Sequence, residues 1–135
     1  MKEIVCAADY WPLIPNDTYE AQCIKYNTSF VLGKSRKIFL RFKILDQGQY
    51  FGEEIFQAYN MPYNRKFRPG HKYYKDWVMM NGWKAPSRNA SMSPRIFKNK
   101  IFIIKTRTAK PKRKNKEMPK EFWYSVVDEI IKVIE

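Results

Sequence analysis

The chain is short of histidine, glycine, cysteine and acid, and each shortage closes off some chemistry. Its one histidine, His71, has no recognisable partner for acid–base work and reads as a surface or capping residue. The two cysteines, Cys6 and Cys23, make a poor zinc set with a single histidine, because structural sites take four ligands. They read as reduced thiols, with Cys23 a small buried residue of a strand. The five glycines include none in the spacing of a phosphate-cradling loop. No apolar run approaches the roughly 20 residues that span a bilayer. The apolar stretch in Met1–Asp9 is too short for a signal peptide, so the expected location is the cytoplasm, without a membrane partner. No repeat and no Gly/Ser linker divides the chain. Glu53 and Glu54 with Asp46 are the acids nearest to a metal-dependent nuclease set, but neighbours on a strand point to opposite faces. No catalytic residue, metal or cofactor is expected.

What is present is core and positive charge. A chain of 135 residues that is 44% hydrophobic and 16% aromatic can bury a core as one domain without disulfides or metal. Against 13 Asp and Glu stand 26 Lys and Arg, a formal charge of +13. That excess points to a polyanionic partner.

Residues 1–17 read as an irregular lead-in, since Trp11-Pro12-Leu13-Ile14-Pro15 holds two prolines. Residues 18–135 read as one domain. Thr18 to Tyr26 alternates as a strand, with Tyr19, Ala21 and Cys23 on one face, and it extends through a bulge past Asn27-Thr28. Lys37 to Leu45 is the clearest strand: Ile38, Leu40, Phe42 and Ile44 face the core, and Phe39, Arg41 and Lys43 face out. Asp46-Gln47-Gly48 is a turn, and Tyr50 to Tyr59 returns as a third strand, with Gly52 a bulge or close approach. Asn60 to Gly70 is loop. His71 to Met80 has helical spacing, with Tyr73, Trp77 and Met80 as core, and Asn81-Gly82 stops it. Ser93-Pro94 opens one helical turn. Lys100 to Thr108 is a fourth strand, with Phe102, Ile104 and Thr106 inward. Residues 109–119 form a solvated loop. The last segment combines helical spacing with strong β character in Trp123-Tyr124-Ser125-Val126-Val127, and is expected as a strand from about Glu121 to Ile130 that ends in a helical turn.

Three groups of residues suit a phosphate backbone with unstacked bases. Phe39, Arg41 and Lys43 place a ring between two cations on one strand face. Tyr63, Arg65 and Lys66 interleave aromatic and basic residues in the loop before the helix. Lys105 and Arg107 lead along the fourth strand into Lys110, Lys112, Arg113, Lys114 and Lys116, five cations in seven residues. This last run reads as a flexible clamp, ordered on binding.

The element order, three strands, a helix and two strands, resembles that of the small OB-fold single-strand DNA-binding proteins of phages, plasmids and other mobile elements. The resemblance is architectural and spans roughly residues 18–134. It implies a mainly β, five-stranded OB-fold-like barrel with one helix between strands 3 and 4. It also implies that nucleic acid lies on the face of strands two and three, near the Val31 to Lys37 connection and the Lys110 to Lys116 loop. The expected function is sequence-tolerant binding of single-stranded DNA in replication or recombination, beside other proteins of those processes. The alternatives are an RNA-binding module and a protein-interaction factor with a basic docking surface.

Overall fold

A computed structural model describes residues 10–32, 35–88 and 91–135. In chain order it contains β1 (Thr18–Leu32), β2 (Ser35–Ile44), β3 (Glu54–Asn60), α1 (Lys72–Met80) and a 3-10 turn (Pro94–Phe97). There follow β4 (Ile101–Ala109), β5 (Lys112–Arg113), β6 (Lys116–Glu117), a second 3-10 turn (Lys120–Phe122) and β7 (Tyr124–Val133). Five strands form one antiparallel sheet in the order β3-β2-β1-β4-β7, and β5 and β6 pair by themselves. The chain is therefore mainly β, with one α-helix among the described residues.

The inner face of the sheet is the core. Ala21 and Cys23 of β1, Leu40, Phe42 and Ile44 of β2, Ile55 of β3, Phe102 and Ile104 of β4 and Val127 of β7 are all buried there. Helix α1 packs on this face: Tyr73 lies edge-on to Tyr59 and tilts against Phe97, which in turn meets Phe102. His71 caps the helix, its Nδ1 accepting from the Tyr73 N–H at 3.0 Å. The Tyr59 hydroxyl donates to Asp76 at 2.7 Å. Burial raises the pKa of the Asp76 carboxyl and outweighs the downward pull of that hydrogen bond. Burial also pushes the Cys23 thiol up to about 12, which leaves it a packing group and not a nucleophile.

Several expected boundaries move. β3 begins at Glu54, not Tyr50, because residues 50–53 are spent reversing the chain. Gly52 N–H bonds Ile44 O at 2.9 Å in that reversal, and Gly48 and Gly52 have φ of +131° and +86°. A Cβ on Gly52 would meet nothing within 4 Å, so its role is the left-handed backbone and not a close approach. The last strand runs Tyr124–Val133 and ends without a helical turn. Its ladder with β4, from Ala109–Tyr124 to Phe102–Val133, overrides the helical spacing. Residues 109–119 are not simply loop: β5 and β6 make a hairpin, with Lys114 and Asn115 both left-handed at φ of +54° and +64°, as two-residue hairpin turns require. The Val31 to Lys37 connection is largely ladder, with Leu32 paired to Ser35; residues 33 and 34 lie outside the described residues, as does Cys6.

The sheet is not closed into the expected five-stranded OB-fold-like barrel. β3 and β7 are the two edges of the sheet, with no ladder between them. They nevertheless meet through side chains, Phe56 stacking on Tyr124 with ring centroids 5.8 Å apart. The lead-in from residue 10 is bonded to the edge strand β7. Ser125 of β7 donates through its N–H to Pro12 O at 2.8 Å and through its hydroxyl to Ile14 O at 3.1 Å, and accepts from Ile14 N–H at 2.8 Å. These bonds lay the lead-in along β7 and carry Trp11 to the seam between the two edges, where it meets Phe56 edge-on at 5.1 Å.

Candidate nucleic-acid interface

The outer face of β1, β2 and β3 holds a groove of about 400 Å³. Two rows of paired residues cross it. One runs Lys25–Arg41–Phe56 and the other Asn27–Phe39–Ala58, each from β1 through β2 to β3. Lys25 reaches this face only because of a bulge. Strict alternation puts it with Cys23 in the core, but the register slips between Cys23 and Lys25, so Lys25 pairs with Arg41. Ala58 opposite Phe39 leaves the floor hollow. Trp11 from the lead-in and Tyr124 from β7 complete the lining.

The rings form a chain. Phe39 stacks on Phe56 at 4.8 Å and 26°, Phe56 continues to Tyr124 at 28°, and Trp11 meets Phe56 at 65°. Phe39 is therefore half-buried, and not the solitary exposed ring of the sequence reading. Arg41 sits over Trp11, 5.8 Å from the ring centroid, and pairs with Glu54 at 3.6 Å. So exposed a pair is worth only ~0–1 kcal/mol, little enough for a competing anion to displace it. The Arg41 Nε is buried without a hydrogen-bond partner. A donor left in that state costs about 1–3 kcal/mol. Lys43 shares the outer face but lies over Phe51, 5.6 Å from its centroid, away from the groove lining.

The basic run stands beside the groove. Ala109 pairs with Tyr124, so the β5–β6 hairpin springs from the strand ends that bring Tyr124 into the lining. Its root is fixed. Met118 N–H donates to Pro111 O at 2.9 Å, Trp123 Nε1 donates to Met118 O at 3.0 Å, and Lys110 lies over the Trp123 ring at 4.4 Å. Lys112, Arg113, Lys114 and Lys116 extend from this root as exposed residues.

The other predicted residues are placed elsewhere. Lys105 and Arg107 are exposed on β4 as expected, but β1 separates β4 from β2 and neither residue lines the groove. Arg107 pairs with Asp128 of β7 at 3.4 Å. Tyr63, Arg65 and Lys66 lie in the exposed loop after β3, and Arg65 and Lys66 border a different cavity. Asp46, weighed as a metal ligand, accepts from Glu20 N–H at 2.9 Å and so closes the turn after β2.

Trp11, Lys25, Phe56 and Tyr124 were missed by the sequence reading. Phe56 was discoverable, since it lies between the core residues Ile55 and Gln57 and must point outward with Arg41 across from it. Trp11 carried no local signal, as bonds to Ser125, distant in the chain, bring it here. No protein-family model matches this chain, and no curated protein matches it in sequence.

Proposed function

We propose that this protein is a sequence-tolerant binder of single-stranded DNA, taking the strand along the aromatic groove and steering it with the basic hairpin. One observation carries the reading: a chain of rings, Trp11, Phe56, Phe39 and Tyr124, shares one groove with Arg41 and Lys25 and opens beside a hairpin of exposed cations. Stacking accepts every base, because each has a π-face, and contributes roughly 1–3 kcal/mol per base. The cations supply attraction that does not depend on sequence. We further read the sheet as a partly open OB-type barrel, in which a ladder between β3 and β7 would complete the closure. The proposed groove then covers the strand-two and strand-three face such barrels use. Such a binder suits replication or recombination, where single strands are exposed, including those of mobile elements.

The test is fluorescence anisotropy with a labelled single strand, its RNA counterpart and a duplex over a salt series. Tight binding to the single strand over duplex is expected, with log Kd rising against log salt by about 0.7 per phosphate contacted. The DNA-to-RNA ratio decides the polymer, since only contacts to the 2′-hydroxyl discriminate. No binding at ~50 mM salt, where phosphate contacts are strong, overturns the reading and makes the basic surface a protein-docking site.

A further inference from the structure

Three of the four tryptophans are engaged within the fold. Trp11 meets Phe56 and lies under Arg41, the Trp77 indole donates to Ser93 O at 3.1 Å, and the Trp123 indole donates to Met118 O beneath Lys110. Trp83 is 76% exposed, and among the described residues its ring meets no other ring and no cation. One exposed apolar side chain is ordinary. The backbone beneath this one is not.

Helix α1 ends at Met80, and Gly82 turns left-handed behind it at φ +69°. Trp83 N–H then donates to Val78 O at 2.9 Å, the long bond of a Schellman cap. In that motif an apolar residue at the Trp83 position commonly folds back onto the last helical turn. Trp83 stays in solvent instead. It is itself left-handed, at φ +63°, a region that bulky residues avoid because Cβ crowds the neighbouring carbonyl. The turn is tied from both sides, since Asn81 Nδ2 donates to Lys84 O at 3.0 Å. A strained backbone thus holds an unburied ring, a combination typical of binding residues.

The surroundings name the ligand. Lys84 and Arg88 follow the ring, and both are exposed. Residues 77–116 contain twelve Lys and Arg and no acid. An open ring followed by cations suits an unstacked base with its phosphates. The place is not the groove. Helix α1 packs on the inner face of the sheet, the groove lies on the outer face, and Trp83 is absent from its lining.

We propose that Trp83, Lys84 and Arg88 form a second contact for single-stranded DNA, separate from the groove. One base stacks on the indole, and the flanking phosphates meet the two cations. The class of ligand rests on the single-strand reading, whereas the place does not. A strand long enough to leave the groove and pass around the domain engages both contacts.

The test is anisotropy with labelled oligothymidylates over a series of lengths, using Trp83→Gly. Glycine takes the left-handed conformation without strain, so urea unfolding is expected to show stability no lower than wild type. Short strands should bind the variant as they bind wild type. Long strands should bind it about 5- to 150-fold more weakly, the range for one stacked base. Lys84→Gln with Arg88→Gln changes two exposed side chains and tests the same contact without touching the turn. For long strands alone it should lower the log–log salt slope by about 1.4, at ~0.7 per phosphate. If both variants match wild type at every length while Phe56→Ala weakens binding, the Trp83 assignment falls and the groove stands. Equal losses for short and long strands place the effect in the groove and also overturn the assignment. If wild type binds no oligonucleotide of any length, both readings fall.

Discussion

The groove and the basic hairpin meet at Tyr124 and Ala109, yet they are built in opposite ways. In the groove nearly every side chain is engaged: rings stack on rings, Arg41 lies over Trp11 and pairs with Glu54, and most of the surface is half-buried. In the hairpin only Lys110 has an aromatic partner, and Lys112, Arg113, Lys114 and Lys116 stand in solvent on a two-residue turn. The first arrangement is preorganised and short in reach. The second is loosely determined but projects charge about a Debye length, ~10 Å at 0.1 M salt. The difference teaches that, under the proposed function, stacking and electrostatic capture would be separable, one set by the sheet and the other by an appendage to it.

The largest effect is expected from Phe56→Ala. Phe56 touches Trp11, Phe39 and Tyr124, so its loss disconnects the whole chain of rings. Affinity for single strands is expected to fall by roughly 1–3 kcal/mol, the worth of a stacked base, with the salt slope unchanged. Anisotropy titrations at several salt concentrations check both. A changed slope with preserved affinity at high salt would break the division of labour between the two regions.

A smaller and different effect is expected when Lys112, Arg113 and Lys114 are all changed to Gln. The log–log salt slope should drop by about 2 if three phosphate contacts are lost, at ~0.7 each, and the affinities of wild type and variant should converge as salt rises. Equal slopes would show that the hairpin does not contact the strand. Both substitutions are then separated from plain destabilisation by urea unfolding.

The smallest effect on binding is expected from Asp76→Asn, a change within α1 that touches neither region. Its consequence is for stability and pH. The folded carboxyl has a raised pKa, so between the ordinary carboxylate value of 3.8 and the folded value the native state holds more protons than the unfolded chain. Wild-type stability therefore contains a contribution from Asp76 that is greatest at low pH and is lost as pH rises through the folded pKa. Asp76→Asn removes this contribution, so stability of the variant relative to wild type should rise across that window and then level off, with strand affinity unaltered. Urea unfolding over an acid-to-neutral pH series, paired with anisotropy, reads both.

Much of the sheet was legible along the chain because its strands alternate cleanly. Ile38, Leu40, Phe42 and Ile44 are buried and Phe39, Arg41 and Lys43 turn away from the core, as two-residue periodicity dictates. The cap at His71, the turn after Ser93 and the inward parity of Phe102, Ile104 and Thr106 were equally local. The candidate site was only partly legible. Phe39 and Arg41 were found from parity, but Lys25 was hidden by a bulge that reverses the parity after Cys23. Trp11 was hidden because its position depends on bonds to Ser125, more than a hundred residues along the chain. The final strand was in doubt because its sequence supports two periods, and only the free edge of β4 chose between them.

By itself the sequence determined a basic, mainly β chain, the identity of its core strands and the place of its basic run, since these follow from side-chain periodicity and charge that act over a few residues. Only the tertiary structure decided that the sheet would bring its two edges together without a ladder, that four rings from three strands and the lead-in would share one groove, and that α1 would pack on the inner face through Tyr73. Those arrangements rest on register slips and on hydrogen bonds between distant segments, and the pairing energies that select them exist only once the chain has folded.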